Sequence, residues 1–263
     1  MRVGYIQNSP IFGEKHKNLA AVDDPLMAIK ADLIVFPELF ATGYTFTSIE
    51  EVAGLSENVD DTTSRYLCQK SIDTGAMIVA GFIEREGDSY YNSSLIVSAG
   101  KILGTYRKLH LFNKEKIFFT PGNLPLKVYD INGCKIGVMI CFDWIYPEVS
   151  RILALQGTQV IAHPANIVMP WCQQAMQTRC IENRIFAVTA NRVGTEKRGE
   201  EENRFTGGSQ ITSCDGEVLS FASADSPCMD FIDIDPARAD NKMINPYNDV
   251  IRDRRPGFYK PLV

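Results

Sequence analysis

Short runs in which consecutive residues are apolar recur along the chain, and they restrict its fold more than any other feature of the sequence. Residues 77–80 read Met-Ile-Val-Ala and residues 136–140 read Ile-Gly-Val-Met-Ile, without the polar alternation of a strand that faces water on one side. Strands of this kind are covered on both faces of their sheet, which requires packed layers on each side. The sequence therefore predicts a layered α/β fold.

Further strand-like runs and turn signals indicate that the sheets are mixed. Two-residue hairpin signals occur at Ala99-Gly100, Asn132-Gly133 and Asp215-Gly216, and helix-like stretches separate other runs. The remaining strand-like runs are residues 3–6, 33–36, 94–97 and 159–162. A chain of 263 residues with 45% apolar residues can bury one large core. We therefore expect one domain over residues 1–263.

Charge and cysteine content exclude several classes of protein. The net charge is −5 and the basic residues are dispersed, so no nucleic-acid partner is expected. No apolar run reaches membrane-spanning length, and residues 2–7 resemble a strand and not a signal peptide. The seven cysteines include no C-x-x-C pair, which argues against a zinc cluster or a disulfide framework. We expect a cytoplasmic protein with reduced thiols and no metal.

Two segments carry no clear apolar periodicity. Residues 196–203, EKRGEEEN, form the most polar stretch, and we interpret them as a solvated loop. The segment 247–263 has no helical or strand-like pattern. It is predicted to be a C-terminal arm that packs on a partner subunit.

Cys141 is a candidate nucleophile because of its position between two predicted elements. It follows a predicted strand over residues 135–140 and precedes a helix that should begin near Pro147 and stop at Gly157. Val149, Ile152 and Leu153 are predicted to share one face of that helix. A strand-to-helix bend exposes the side chain at the end of a sheet, where main-chain N–H groups can stabilise a thiolate or an oxyanion. The alternative is a buried structural cysteine.

A cysteine nucleophile needs a base, and the three histidines form no recognisable Cys-His signature. His163 ends the strand after the Cys141 helix and could lie near the thiol, but we interpret it as structural. Glu38 follows the apolar run 33–37, where a carboxylate at the end of a buried strand suits proton transfer. A helix cap or a surface acid is the alternative at this position.

The adjacent cations Arg107 and Lys108 follow a strand-like run at residues 101–107. Apolar residues flank the pair, so one of the two should face inward. A buried lysine beside a thiolate would lower the pKa of the thiol and could bind the negative oxygen of a tetrahedral intermediate. A solvated basic pair is the alternative.

Taken together, the segments around these residues resemble the nitrilase superfamily of carbon–nitrogen hydrolases. The three segments are FPELFATGY around Glu38, YRKLHLF around Lys108 and GVMICFDWIYPE around Cys141, in that order. Further matches are EKIFFTPG from Glu115, HPAN at residues 163–166 and ENRIFAVTANRVG at residues 182–194. The resemblance extends over almost the whole chain and is weakest in the C-terminal arm.

The resemblance implies a four-layer αββα sandwich with mixed β-sheets, a homodimer or higher homo-oligomer, and catalysis without a cofactor. It also implies that Cys141 is the nucleophile, Glu38 the general base and Lys108 the stabilising cation. Glu115 would be a second acid that positions the substrate or Lys108. The residues expected to contact substrate are Tyr44, Phe142, Trp144, Asn166 and Met169, with the Phe142 N–H assisting the oxyanion.

Two departures from the family pattern are visible. The segment Asp23-Asp24-Pro25 is expected to shorten or break the first helix. Asp143 stands two residues after the cysteine, where true nitrilases typically have glutamate and amidase-like or carbamoylase-like members often have aspartate. We therefore predict hydrolysis of a small linear amide or N-carbamoyl compound. A true nitrilase is the alternative, and a non-catalytic binding or scaffold protein is a third.

Overall fold

The computed structural model describes residues 1–23, 26 and 29–262. The first helix, α1, spans Lys15–Ala21. The interruption expected at Asp24 and Pro25 lies outside the described residues. The other helices are α2 (Ile49–Leu55), α3 (Thr62–Thr74), α4 (Glu115–Phe118), α5 (Pro147–Leu155) and α6 (Cys172–Asn183). None of the helices in this described part is long and apolar enough to cross a membrane.

Most of the strands form two six-stranded sheets. In chain order the strands are β1 (Arg2–Gln7), β2 (Leu33–Val35), β3 (Met77–Glu86), β4 (Ser89–Ser98), β5 (Lys101–Arg107), β6 (Val128–Ile131), β7 (Cys134–Val138), β8 (Val160–Pro164), β9 (Phe186–Ala190), β10 (Thr195–Arg198), β11 (Glu201–Arg204), β12 (Gln210–Thr212), β13 (Val218–Phe221), β14 (Cys228–Asp233), β15 (Met243–Asn245) and β16 (Asn248–Asp249). The first sheet has the order β14-β1-β2-β3-β4-β5, and the second has the order β13-β12-β9-β8-β7-β6.

The two sheets share one pattern of strand directions. In the first sheet, β1, β2 and β3 are parallel. Strands β14 and β4 pair antiparallel with β1 and β3, and β5 pairs antiparallel with β4. In the second sheet, β7, β8 and β9 are parallel. Strands β6 and β12 pair antiparallel with β7 and β9, and β13 pairs antiparallel with β12. The carboxyl ends of the parallel strands therefore provide one cluster of loops in each sheet.

The two sheets pack face to face, with helices on their outer faces. Val35 and Val79 from the first sheet share a core with Val138 and Ile161 from the second. On the outside of the first sheet, Leu67 of α3 packs with residues of β2, β3 and β4. Residues of α5 and α6 cover the second sheet. These four layers confirm the predicted αββα sandwich.

The three predicted hairpins are present. Ala99-Gly100, Asn132-Gly133 and Asp215-Gly216 lie between β4 and β5, β6 and β7, and β12 and β13. In the first two turns both residues have positive φ, with 47° and 75° at Ala99 and Gly100 and 51° and 84° at Asn132 and Gly133. Such turns match the twist of the flanking strands and favour glycine.

One local prediction was wrong. Residues 196–203 are not a solvated loop, because β10 and β11 pair there as a hairpin and Glu196 is buried. Helix α5 begins at Pro147 and is followed by Gly157 with φ of +89°, as expected, and Val149 and Leu153 are buried. Ile152 lies on the same side of the helix, three residues after Val149, and is 43% exposed.

Candidate active site

The loop after β2 carries Glu38 into the interior. The side chain of Glu38 is fully buried, and Leu39 beside it has φ of +49°. A Cβ at Gly81 on β3 would lie 2.4 Å from Leu39 N and 2.5 Å from Glu38 Cα. Only glycine allows this close approach, so β3 fixes the position of Glu38 through its main chain.

Lys108, directly after β5, lies between two carboxylates. Its Nζ donates to Glu38 Oε1 and to Glu115 Oε1, each at 2.7 Å. All three side chains are at least 96% buried. Since an ammonium has three N–H donors, these two contacts leave one donor for another acceptor.

The neighbouring charges keep Lys108 protonated. Burial lowers the pKa of Lys108, but the charges of Glu115 and Glu38 outweigh it and hold that pKa above its usual value. Burial raises the pKa of Glu115, with Lys108 opposing this effect and Glu38 adding to it. The Tyr44 hydroxyl donates to Glu115 Oε1 over 2.5 Å, so Glu115 connects Tyr44 to Lys108.

One cation of the pair was expected to face inward, and Lys108 does so. Arg107 is also buried, and its guanidinium donates to Glu84 from Nε over 3.0 Å and from Nη2 over 2.6 Å. It also bonds Glu86 and Asn123. Each buried cation is thus paired with buried carboxylates, Arg107 with Glu84 and Lys108 with Glu38 and Glu115.

Asn92 is a polar neighbour of Glu38 that the sequence analysis missed. It lies on β4, is 1% exposed, and donates from Nδ2 to Glu38 Oε1 over 2.6 Å. Within the described chain, Glu38 Oε2 and Asn92 Oδ1 are buried without a hydrogen-bond partner. No local signal in the sequence marks this residue, because its partner Glu38 lies 54 positions earlier in the chain.

Cys141 lies at a tight bend after β7. Its φ is +41°, a left-handed value that is unusual for a residue other than glycine. The following 3-10 turn spans Cys141–Ile145. The Asp143 carboxylate holds this bend because Oδ2 accepts from the Ile140 N–H at 2.9 Å and from the Tyr106 hydroxyl at 2.7 Å. Its Oδ1 accepts from the main-chain N–H of His110 at 3.1 Å.

The thiol of Cys141 is within the electrostatic influence of Glu38, Lys108 and Glu115. Burial and then Glu38 raise its pKa well above the usual value, while Lys108 acts in the opposite direction. The expectation that the cation gives Cys141 a lowered pKa was therefore wrong. Two buried carboxylates face one buried ammonium, so a thiolate would add a second net negative charge.

His163 is a neighbour of the main chain of Cys141. Its Nε2 donates to Cys141 O over 3.0 Å, and its Nδ1 lies 3.1 Å from Thr189 Oγ1. The carbonyl accepts only, so the hydrogen is on Nε2 and the Thr189 hydroxyl donates to Nδ1. Burial lowers the pKa of His163 to about 4.

A cleft opens next to Cys141 and brings together four of the five residues expected to contact substrate. Phe142, Trp144, Asn166 and Met169 line it. Its other lining residues are Phe112, Ile167 and Val168. Both polar side-chain atoms of Asn166 are buried and have no hydrogen-bond partner among the residues described. The cleft is thus mainly apolar with one unsatisfied amide.

The fifth residue, Tyr44, lies in a neighbouring cavity. That cavity is lined by Tyr44, Glu115 and residues of the β10–β11 hairpin, and it shares Phe112 with the cleft at Cys141. Tyr44 therefore reaches the site through its hydroxyl contact with Glu115.

Glu196 fixes the main chain at Tyr44 and is a second residue that the sequence analysis missed. Its Oε2 accepts from the N–H groups of Tyr44 and Thr45, and its Oε1 accepts from Arg192 Nη1 over 2.9 Å. Gly43 has φ of +84°, and a Cβ there would lie 2.8 Å from Glu196 Oε1. The alternation of the hairpin places Glu196 inward, whereas its polar composition suggested solvent.

Within the described ranges, no group of three or more His, Cys, Asp or Glu side chains is arranged to hold a metal ion. The polar groups at the site are instead a thiol, two carboxylates, an ammonium and two amides. This set can transfer a proton, attack an electrophilic carbon and stabilise a negative oxygen.

Comparison with known proteins identifies similar sequences over nearly the whole chain. The model of the family described as carbon-nitrogen hydrolase matches residues 2–241. A protein named nitrilase from Pyrococcus abyssi is 44% identical over 98% of this chain and 99% of its own. An (R)-stereoselective amidase from a Pseudomonas species is 33% identical over 86% and 82% of the two chains. An N-carbamoylputrescine amidase from Solanum tuberosum is 31% identical over 89% and 84%.

A solved structure agrees with the architecture described above. The carbon-nitrogen hydrolase from Helicobacter pylori superimposes with a TM-score of 0.90 and covers 100% of this chain and 98% of its own, at 25% identity. The layered arrangement of the two sheets is therefore similar to that of a known enzyme.

Proposed function

The chain belongs to the carbon–nitrogen hydrolase family, and from this premise we propose that it hydrolyses a small linear amide or N-carbamoyl compound through a Cys141 acyl-enzyme. The observation that carries the proposal is the buried Lys108, whose ammonium joins Glu38 to Glu115 beside the Cys141 thiol. A buried thiol, base and fixed cation are the groups that acyl transfer requires.

Acylation begins with proton transfer from the Cys141 thiol to Glu38. Because the pKa of the thiol is raised, we propose that the proton leaves as the sulfur attacks the carbonyl carbon, so that no free thiolate accumulates. The S–C bond forms while the carbonyl oxygen becomes negative. The third N–H of Lys108 and the main-chain N–H of Phe142 would stabilise that oxygen. The C–N bond then breaks, and Glu38 returns the proton to the leaving nitrogen, which departs as ammonia or an amine.

Deacylation repeats these roles with water as the nucleophile. Glu38 takes a proton from water, and the hydroxide oxygen attacks the thioester carbon. The C–S bond breaks and the proton held by Glu38 restores the thiol. The product is a carboxylic acid from an amide, or a carbamic acid from an N-carbamoyl compound, which decomposes to CO₂ and ammonia or an amine. Glu115 would hold Lys108 in place through both steps, because it accepts a hydrogen bond from the Lys108 ammonium throughout.

The cleft next to Cys141 suits the uncharged amide or ureido group of a substrate. Phe142, Trp144 and Met169 provide apolar surface, and the unpaired amide of Asn166 can both accept from an N–H group and donate to a carbonyl. An amide or ureido group offers both partners. Asp143 at the bend agrees with the amidase-like pattern, and relatives named as amidases are consistent with it.

Nitrile hydrolysis is the second candidate function. The relative that is 44% identical is named nitrilase, and the same thiol could add to a nitrile carbon to give a thioimidate. An amide and a nitrile with the same carbon chain differ at the attacked carbon, so a matched pair separates the two activities.

The test is a panel of matched linear amides, nitriles and ureido acids. Ammonia is measured for each compound, together with the carboxylic acid from amides and nitriles and the amine from ureido acids. We expect turnover of amides or ureido acids above that of the matched nitriles, and none by Cys141→Ala. Turnover of nitriles alone would replace the proposal with the nitrilase alternative. Binding of a compound without release of product from the folded wild-type protein would favour the scaffold interpretation.

We also propose that the protein is a cytoplasmic homodimer formed by a single domain. Ile152, Leu155 and Ile181 are exposed apolar residues on α5 and α6, and a second copy would cover them. The segment 247–263, with Tyr247 90% exposed, would be the arm that packs on the partner. All seven cysteines are free, which fits a reducing compartment.

Sedimentation velocity tests the oligomeric state. Leu155→Glu should shift the protein toward the monomer because it places a charge in the proposed interface. Ile72→Glu, on the exposed face of α3, is the matched control and should leave the mass unchanged. A wild-type protein that sediments as a monomer at micromolar concentration would contradict the proposal.

A further inference from the structure

The two oxygens of the Glu38 carboxylate have different surroundings. Oε1 accepts from Lys108 Nζ at 2.7 Å and from Asn92 Nδ2 at 2.6 Å. Oε2 is buried, and no described residue donates a hydrogen bond to it. One oxygen is therefore held by two donors, and the other is available to a group that arrives with a proton.

We propose that Asn92 is a positioning residue that, together with Lys108, occupies Oε1 so that Oε2 is the atom of Glu38 that takes the proton. A carboxylate oxygen has about two acceptor directions, and both directions on Oε1 are used. A proton that arrived at Oε1 would have to displace an N–H donor. A proton that arrives at Oε2 displaces nothing and leaves both hydrogen bonds intact. This inference rests on the proposed role of Glu38 as the base.

The orientation of the Asn92 amide is determined by its neighbour. A carboxylate only accepts hydrogen bonds, so the NH₂ group and not the oxygen of Asn92 must face Glu38. The main chain of Asn92 also contributes, because its carbonyl accepts from the Lys108 N–H over 2.8 Å. The side chain of Asn92 thus aligns Glu38, and the main chain of Asn92 aligns Lys108. Side-chain substitution removes the first contact and retains the second.

The first test compares Asn92→Ala and Asn92→Asp with Ser94→Ala. Ser94 is the matched control because it lies two residues along β4 on the same face, is fully buried, and its hydroxyl has no partner in the described chain. Asn92→Ala should lower kcat about 10- to 100-fold with little change in KM, since a misaligned base slows proton transfer without removing a substrate contact. Ser94→Ala should match the wild type.

Asn92→Asp adds a carboxylate beside Glu38 and should change the pH profile. The like charge raises the pKa of the carboxylate pair, so the base is free only at higher pH and the acid limb of kcat moves upward. A shift of about one pH unit or more is expected. A purely structural role for Asn92 would lower kcat by the same factor at every pH, and that result would overturn the inference.

The second test needs no knowledge of the substrate. The rate at which iodoacetamide alkylates Cys141 is measured by mass spectrometry in the wild type, Asn92→Ala, Glu38→Gln and the double variant. If Asn92 acts through Glu38, Asn92→Ala should slow alkylation about 10-fold in the wild-type background and less than about 2-fold in Glu38→Gln. Equal slowing in both backgrounds would refute the positioning role.

The two tests separate this inference from the proposed function. If the wild type hydrolyses no compound of the panel, the proposed function fails, while the alkylation cycle still tests the coupling of Asn92 to Glu38. If the wild type hydrolyses amides and the cycle is additive, only the role of Asn92 fails. Thermal unfolding of each variant checks that the compared proteins are folded.

Discussion

His163 donates a hydrogen bond to the main-chain carbonyl of Cys141, over 3.0 Å, and its other nitrogen faces Thr189. Both ring nitrogens are therefore committed to contacts that hold the bend at Cys141. A general base would need one nitrogen free toward the sulfur. The relationship accounts for a buried histidine beside Cys141 without giving it a role in proton transfer.

His163→Asn should consequently retain substantial turnover. The asparagine side chain is shorter, so the substitution removes the imidazole contact that supports the bend at Cys141 but no group that transfers a proton. We expect kcat to fall by no more than about 10-fold if the protein still folds. Steady-state kinetics with the best substrate of the panel provide the measurement. A loss as deep as that of Cys141→Ala, in a folded protein, would restore a Cys-His mechanism.

The same histidine should make the protein less stable in acid. Burial lowers its pKa from 6.5 to about 4, so between these values the unfolded chain binds a proton that the folded chain does not. Stability should fall as pH decreases from 6.5 to about 4, by up to about 3 kcal/mol, and this contribution should level off below. Urea unfolding of wild type and His163→Asn at pH 7 and pH 4.5 measures it. An equal loss of stability in both proteins would contradict the assignment.

Cys141→Ala should abolish turnover and leave the fold intact, because one sulfur atom at the end of a strand contributes little packing. Cys172→Ala is the matched control, since Cys172 is fully buried but lies on α6. We expect the control to keep its kcat while its melting temperature falls by a few degrees, as for removal of a small buried group. Initial rates and thermal unfolding of both variants are the measurements, and retained turnover in Cys141→Ala would exclude it as the nucleophile.

Glu38→Gln and Glu115→Gln should fail at different steps. The glutamine at position 38 can neither accept the thiol proton nor activate water, so acylation and deacylation should both be lost. The glutamine at position 115 can still accept from Lys108, so acylation should slow but some turnover should remain. Single-turnover kinetics with mass detection of the Cys141 adduct distinguish the steps. Rapid loss of a preformed adduct in Glu38→Gln and its persistence in Glu115→Gln would exchange the two roles.

Glu196→Gln should destabilise the protein strongly. It removes the charge that compensates Arg192, which is 2% exposed, and weakens the support of the Tyr44 main chain. Leaving a buried guanidinium without its carboxylate should lower the free energy of unfolding by about 3 kcal/mol. Glu201→Gln, on the paired strand of the same hairpin, is partly exposed and should change it by less than about 1 kcal/mol. Urea unfolding measures the free energy of unfolding of both variants. Equal losses would show that the buried ion pair stabilises the protein no more than the exposed one.

The parts of this architecture that depend on local sequence could be predicted. Apolar runs marked the strands, Gly-containing turns marked three hairpins, and Glu38, Lys108 and Cys141 each stood directly after a strand-like run. The missed residues depend on partners far away in the chain. Asn92 contacts a residue 54 positions earlier, and Glu196 contacts Tyr44 across 152 positions. No local pattern contains that information.

The error about the Cys141 pKa has a different origin. The sequence showed a cation close to the cysteine motif, which by itself would favour the thiolate. Burial is the largest cause of the raised pKa of Cys141, and the charges of Glu38 and Glu115 add to it while Lys108 opposes it. Burial of the thiol and the position of the two carboxylates are properties of the folded chain, and the local sequence does not contain them.

The reactive groups are divided between the two sheets. Glu38, Asn92 and Lys108 belong to the first sheet or the loops that follow its strands, whereas Cys141 and Asn166 follow strands of the second. Neither half of the chain carries the complete set, so the Cys141 sulfur and Glu38, its proposed base, are close only while the two sheets are packed together. A small separation of the two sheets, too small to unfold either of them, would already abolish catalysis. The catalytic rate should therefore respond to small changes in the relative position of the two sheets.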